Sequence, residues 1–247
     1  MIKTEKEIQK MRAVCKIVAL AHKHIERFIK AGVTTEYLDN ELEKFILSQG
    51  AKPNFKNYRK YPKTACISVN DVVVHGIPSE KTILNDGDIV SIDVGAVKDG
   101  YHGDAARTYA VGVIEEKKQK LIDITKECFF KGMEQARAGR RIGDISESVQ
   151  KHAEQNGFSV VRSLTGHGIG KKLHEDPSVP NFGKSGTGTL LKSGMTLAIE
   201  PMINEGTFHV IFESDGWTCR TEDGKLSAHY EETVLVTNGD AEILTTI

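Results

Sequence analysis

Four acidic residues stand where a solvated surface would not put them. Asp93 lies inside the apolar run Ile89-Val-Ser-Ile-Asp-Val94, Glu200 closes the run Leu197-Ala-Ile199, and Glu231 opens a segment that continues as Thr233-Val-Leu-Val236. Asp104 sits in His102-Gly-Asp104, just beyond a Lys98-Asp-Gly100 turn. A lone carboxylate near an apolar core is costly and tends to protonate, so four of them require cations or strong hydrogen-bond partners. Two divalent ions would neutralise them. His75, His167 and His174 are the candidate imidazole partners, each in a turn beside small residues, with His167 and His174 seven apart across a glycine-rich loop. Oxygen ligands plus an imidazole suit Mn, Fe or Co, whereas closed structural zinc sites favour thiolates. Carboxylates that bridge two ions ~3.5–4 Å apart lower the pKa of a shared water, which is a hydrolytic design. Any one of these acids alone reads equally as an edge-strand charge or an ion-pair partner. Four of them together with two matched His-Gly turns carry the metal reading.

Of the remaining histidines, His22, His24 and His152 fall on helices with polar neighbours and read as surface residues. His102, His209 and His229 lie near acidic residues without a symmetric counterpart and stay undecided.

The elements that must position these groups repeat. Thr4-x-x-Glu7 reads as a capping box before a helix carrying Ile8, Met11, Val14, Val18 and Ala21. Thr35 can cap a second helix with Leu38, Leu42, Phe45 and Ile46 on one face, ended by Gly50. Strands are expected at 65–69, 72–74, 89–94 and 101–111, the last two forming an antiparallel hairpin around the Lys98-Asp-Gly100 turn. Helices at about 117–138 and 144–155 follow, then strands around 159–163, 195–199, 208–212 and 231–236. Ala31-Gly32 matches Ala138-Gly139, Leu38 matches Ile145, Leu42 matches Val149, Ile46 matches Ala153 and Gly50 matches Gly157, each pair 107 residues apart. Gly87-Asp-Ile-Val-Ser-Ile-Asp93 aligns with Gly194-Met-Thr-Leu-Ala-Ile-Glu200 at the same offset, and His75-Gly-Ile-Pro78 faces His167-Gly-Ile-Gly170 at 92. Blocks recurring in one order at one offset indicate a duplicated α+β half. A pseudo-two-fold axis would bring the two acid sets face to face.

Bulk properties bound the reading. The 247 residues make one large domain or two small ones; the repeat favours one catalytic domain over 1–247 with halves at about 4–112 and 113–240. With 33 basic against 34 acidic residues and a net charge of -1, the global basic field of a nucleic-acid binder is missing, and no sequence-specific nucleic-acid partner is expected. Cys15, Cys66, Cys128 and Cys219 form no Cys-x-x-Cys pair, which argues against a disulfide framework and fits a reduced cytoplasmic setting. The charged N-terminus does not read as a signal peptide, and nowhere do about 18 apolar residues run together, so no membrane span is expected.

Taken in order, Cys66-Ile-Ser-Val-Asn70, Val74-His-Gly-Ile-Pro78, Ile92-Asp-Val94, His102-Gly-Asp104, Thr165-Gly-His-Gly-Ile-Gly170, Leu173-His-Glu175, Ala198-Ile-Glu-Pro201 and Tyr230-Glu231 resemble the type I methionine aminopeptidases, in their short bacterial form. The resemblance spans nearly the whole chain. It implies the pita-bread α+β fold, two pseudo-symmetric halves with antiparallel sheet inside and helices outside. It also implies that Asp93 binds one of two divalent ions (Mn, Fe or Co), that Asp104 and Glu231 bridge them, and that His167 and Glu200 complete the second. In that family a bridging hydroxide attacks the carbonyl of an N-terminal methionine, Glu200 would shuttle the proton, and His75 and His174 would align the scissile peptide and stabilise the developing oxyanion.

The same resemblance matches Tyr58, Tyr61, Cys66 and Trp217, with Phe55 nearby, to the methionine pocket. It matches Asn70, Val72 and Ser227 to positions that hold one Na or K ion in some relatives. Leu173 stands where relatives often have Phe, and Phe55 where several have a smaller residue. Without the resemblance, Tyr58 and Tyr61 in the basic segment 52–63 would read as an exposed aromatic loop. Implied partners are the N-terminal Met of nascent polypeptides and, through the basic residues of 52–63, a transient ribosome contact, although a solvated loop is the simpler reading; a monomer is expected. Two alternatives remain: a proline-specific aminopeptidase or prolidase of the same fold, and a metal-free peptide-binding module that keeps the fold without the chemistry.

Overall fold

The computed structural model describes residues 2–247. Helix α1 (Glu5–Glu26) begins where the Glu7 carboxylate accepts from both the backbone N–H and the hydroxyl of Thr4, and it buries Ile8, Met11, Val14, Val18, Ala21 and Ile25. Helix α2 (Thr35–Ser48) is capped by Thr34, whose hydroxyl accepts from the Tyr37 N–H. The expected cap, Thr35, instead exchanges hydrogen bonds with Ser79, because its side chain is buried against that loop. A short strand β1 (Lys52–Pro53), then β2 (Ala65–Val69), β3 (Val72–Val74), β4 (Ile89–Lys98) and β5 (Tyr101–Ala110) complete the first part of the chain. Asp99 and Gly100 both have positive φ, and Lys98 pairs with Tyr101, so the expected hairpin closes through a two-residue turn.

Helix α3 (Glu116–Met133) stops five residues short of its expected end, and α4 (Ile142–Gln155) starts two residues early. Helix α4 begins and ends 107 residues after α2. Strands β6 (Ser159–Val160), β7 (Thr165–Gly168), β8 (Glu175–Pro180), β9 (Thr196–Ile199), β10 (Met202–Asn204), β11 (Val210–Phe212), β12 (Cys219–Thr221), β13 (Ser227–His229), β14 (Glu231–Leu235) and β15 (Glu242–Ile243) follow. β9 likewise begins 107 residues after β4.

One nine-stranded sheet organises the molecule, in the order β1-β4-β5-β14-β9-β7-β8, with β2 also on β4 and β15 on β14. The hairpin β4–β5 and the pair β9–β14 meet where β5 runs antiparallel to β14, through Ala106↔Glu231 and Ala105↔Glu232. Helix α1 packs on β4 and β5, and α3 packs against α4. A Cβ at Gly103 would lie 3.0–3.1 Å from Cys15, so glycine there lets α1 press onto β5. His22 is completely buried at this contact, against the surface position expected for it; its ring nitrogens reach the Tyr109 hydroxyl and the Ala105 carbonyl, each at 2.9 Å. Two polar partners make an interior imidazole affordable in place of a solvated one. None of the described helices is long and apolar enough to cross a membrane.

Candidate active site

Strand register alone gathers the acids. Cys66 pairs with Asp93, Asp93 with Ala106 and Ala106 with Glu231, and the β9–β14 register continues that row to Glu200. Side chains along one cross-strand row share a face, as do residues two apart on a strand. Asp104 is two residues from Ala106, and His167 pairs with Ala198, two residues from Glu200. Asp93, Asp104, His167, Glu200 and Glu231 therefore lie on one face, drawn from four strands and the residue after β9. Gly166 and Gly168 flank His167 for a packing reason: a Cβ at 166 would come 2.5 Å from the Ala198 carbonyl oxygen, and one at 168 would come 2.2 Å from that of Asp176. Only a glycine-flanked histidine lets β7 fit between β8 and β9.

The acids are nearly or fully withdrawn from water. Asp104 and Glu231 are buried, and ligand atoms of Asp104, His167 and Glu231 lie within 4.8 Å of one another. One oxygen each of Asp93, Asp104 and Glu231 has no hydrogen-bond partner among the described residues. Burial pushes the Asp93 carboxyl up to about 7, and burial plus mutual repulsion raises Asp104, Glu200 and Glu231 well above the carboxylate range. Orphaned oxygens crowded in a dry site fit divalent cations, whose charge replaces the missing partners. The His167 Nδ1 donates to the Gly168 carbonyl at 2.9 Å, which leaves the Nε2 lone pair free as a ligand, and burial lowers its pKa to about 4 and keeps the ring neutral. Glu200 lies between two imidazoles, its Oε1 3.6 Å from His167 Nε2 and its Oε2 3.8 Å from His229 Nε2.

Above this acidic floor is a cavity of about 140 Å³ walled by Phe55, Tyr58, Tyr61, Cys66, Leu173 and Trp217, with His75 and His174. Tyr61 is 2% exposed and its hydroxyl lies 3.0 and 3.1 Å from the Ala65 and Gly76 carbonyls, so the sequence-only reading of an exposed aromatic loop fails there. The Trp217 ring meets Tyr61 edge-on at 5.1 Å and His75 at 6.0 Å. His75 itself holds φ of 60°, a left-handed conformation uncommon outside glycine, which aims its ring into the cavity. His174 stacks on Tyr58, bonds that hydroxyl through Nδ1 at 2.9 Å, and lies 4.2 Å from the His167 ring. Burial of its inner side, with the Arg59 charge nearby, lowers its pKa to about 3 and favours the neutral ring.

Asn70, Val72 and Ser227 meet elsewhere, beside the cavity and not in its lining. The Ser227 N–H donates to the Asn70 carbonyl at 2.9 Å, and β13 packs on the strand that begins at Val72. Two residues of the site escape the sequence reading. Among the described residues Arg59 is the only Lys or Arg lining the cavity, and an exposed basic loop gives no signal for it. His229 is left undecided there, yet strand alternation running back from Glu231 points to it.

With this geometry in hand, the class of protein follows. The family model for metallopeptidase family M24 matches residues 9–238, and the chain belongs to that family. A protein of Clostridium perfringens named methionine aminopeptidase is 52% identical over 246 residues, covering 100% of this chain and 98% of that protein. A crystal structure of methionine aminopeptidase from Thermotoga maritima superposes with a TM-score of 0.98 at 44% identity, covering 100% of this chain and 99% of that one. A Xaa-Pro dipeptidase from Bacillus anthracis shares the fold at a TM-score of 0.81 and 28% identity, but this chain spans 62% of it.

Proposed function

We propose that the protein removes N-terminal methionine from newly made polypeptides as a metal-dependent aminopeptidase, with Asp93, Asp104, His167, Glu200 and Glu231 holding two divalent ions. The observation that carries this is one cavity with an apolar aromatic wall and a floor of four carboxylates and an imidazole. Full-length likeness to named methionine aminopeptidases supports the same reading over the prolidase alternative. Bound divalent ions supply Lewis acidity at the scissile carbonyl and an acidic water.

The chain's own groups do the rest. Phe55, Tyr61, Cys66 and Trp217 offer a thioether side chain a polarizable slot. The acidic floor faces the substrate's ammonium group. With the Tyr58 hydroxyl donating to Nδ1 of His174, Nε2 carries the proton and can donate to the carbonyl oxygen as negative charge develops there. His75 flanks the peptide from the other half of the chain. Glu200 takes the proton of the attacking water and returns it to the departing amide nitrogen. The residue after methionine must pass between the floor and the His75 and His174 rings, which selects small side chains.

The identity of the ions, a Na or K ion beside Asn70, Val72 and Ser227, and a monomer acting in the cytoplasm belong to the same proposal. A ribosome contact through 52–63 gains little support, since Lys56 pairs with Glu43 and Lys63 with Glu36. The deciding assay sets Met-Ala-Ser beside Ala-Pro peptides, using protein reconstituted with Mn, Fe(II) or Co. Release of methionine from the first and no cleavage of the second is expected; the reverse pattern supports the prolidase reading, and no cleavage of either supports the binding module.

A further inference from the structure

His229 is not among the ligands proposed above, yet its ring is placed with care. The Thr108 hydroxyl accepts from the His229 N–H at 2.9 Å and donates to the His229 carbonyl at 2.8 Å, so β5 clamps the backbone of this residue on both sides. Met202 on β10 pairs with it from the other flank. The side chain is 2% exposed, and Nε2 has no hydrogen-bond partner among the described residues. A buried ring nitrogen without a partner costs stability unless something else claims it. The acceptor in reach is Glu200 Oε2 at 3.8 Å, while the other oxygen of the same carboxylate lies 3.6 Å from His167 Nε2. Both spacings exceed a hydrogen bond, and a small rotation of the Glu200 side chain closes the His229 one.

We infer that His229 is a positioning residue for Glu200: its Nε2–H donates to Oε2 when the site is loaded and so holds the Glu200 carboxylate in one orientation. The inference rests on Glu200 working in a metal site, as proposed above. It assigns the Nε2–H tautomer to His229, the opposite of a ring that would use Nε2 as a ligand. This histidine also lines a second cavity, with Arg107, Thr108, Asp123, Lys126 and Tyr230, that shares no residue with the catalytic one. The ring is a partition with one edge turned to Glu200. Partners that orient a ligating side chain typically change metal affinity or activity by roughly 10–100-fold when removed.

The test compares His229→Gln, which keeps an N–H donor of similar reach, with His229→Leu, which does not. Divalent affinity is read by titrating Mn into chelator-treated protein calorimetrically, and kcat and KM are read separately on Met-Ala-Ser. His229→Leu should lose about 10–100-fold in the affinity of at least one ion and a similar factor in kcat, with KM within about threefold. His229→Gln should recover most of both. Wild-type metal affinity and kcat in folded His229→Leu, or a folded Gln variant as impaired as Leu, overturns the inference. Should the Leu variant not fold, ring-nitrogen NMR of the wild-type protein decides: a proton on Nε2 whose signal moves on loading with a diamagnetic divalent ion is expected, and a proton on Nδ1 alone refutes it. A wild-type protein that binds ions and shows this signal, yet leaves Met-Ala-Ser uncleaved, would sink the proposed reaction and not the positioning role.

Discussion

At the scale of single residues, a carboxylate surrounded by its own kind becomes a proton carrier. Burial and Asp93 raise the Glu200 carboxyl well above the carboxylate range in the metal-free protein, a proton affinity that fits the shuttle role proposed for it. Replacing Glu200 with Gln should lower kcat on Met-Ala-Ser by about 10²–10⁴-fold, measured at saturating metal, without lowering the melting temperature of the metal-free protein. A variant retaining more than a tenth of the wild-type rate would contradict the shuttle. The Tyr58 hydroxyl fixes the ring of His174 through Nδ1, and Tyr58→Phe should reduce kcat about tenfold while leaving metal affinity unchanged. Sequence motifs mark Glu200 and His174, whereas Tyr58 is matched only through the family resemblance. His229 and Arg59 have no partner in the other half, and only the alternation running back from Glu231 distinguishes His229.

At the scale of elements, what the chain makes legible is periodicity, and what it hides is packing. The repeat at 107 located α2 against α4 and the start of β4 against β9, because apolar spacing and helix-ending glycines survive in both copies. The short strands β7, β8, β10, β12 and β13 were not marked as strands; β7 and β8 are built around Gly and Pro, and β10, β12 and β13 span three residues each. Yet β7 carries His167, and its glycines matter through neighbours far away in sequence. Gly166→Ala would drive a methyl to 2.5 Å from the Ala198 carbonyl oxygen and push β7 off β9. A cost of about 1–3 kcal/mol in denaturant unfolding is expected, with divalent affinity falling further than stability alone explains. Gly103→Ala, at the Cys15 contact, should cost a similar amount in stability.

At the scale of the whole molecule, pH and metal act against each other. Folding raises the Asp93 carboxyl from 3.8 to about 7 and raises Asp104, Glu200 and Glu231 well above the carboxylate range, while burial lowers His22, His167, His174 and His229; in the interval above pH 6.5, where those imidazoles are neutral in both states, the metal-free native state binds more protons than the unfolded chain. Stability then falls as pH rises across it, because unfolding releases those protons. Melting curves of chelator-treated protein should drop by roughly 5 °C or more between pH 6.5 and pH 8, while the loaded protein, whose carboxylates would be ionised by the ions, should stay nearly flat. Ion binding at pH 7 should release protons, measurable as a buffer-dependent calorimetric heat, and affinity should weaken as pH drops below 7. A heat that is the same in every buffer would rule out this linkage.

The join between β5 and β14 gives these opposing forces a place to act. Asp93 and Asp104 come from one side of that seam, Glu200, Glu231 and His167 from the other, and the ladder across it pairs Ala106 with Glu231 and Ala105 with Glu232. This ladder, with the apolar cores that residues of both sides share, holds together two groups of acids whose repulsion bound cations would relieve. Ions bound as proposed above would cross-link the two sides, so that loading the site and stabilising the fold become one event.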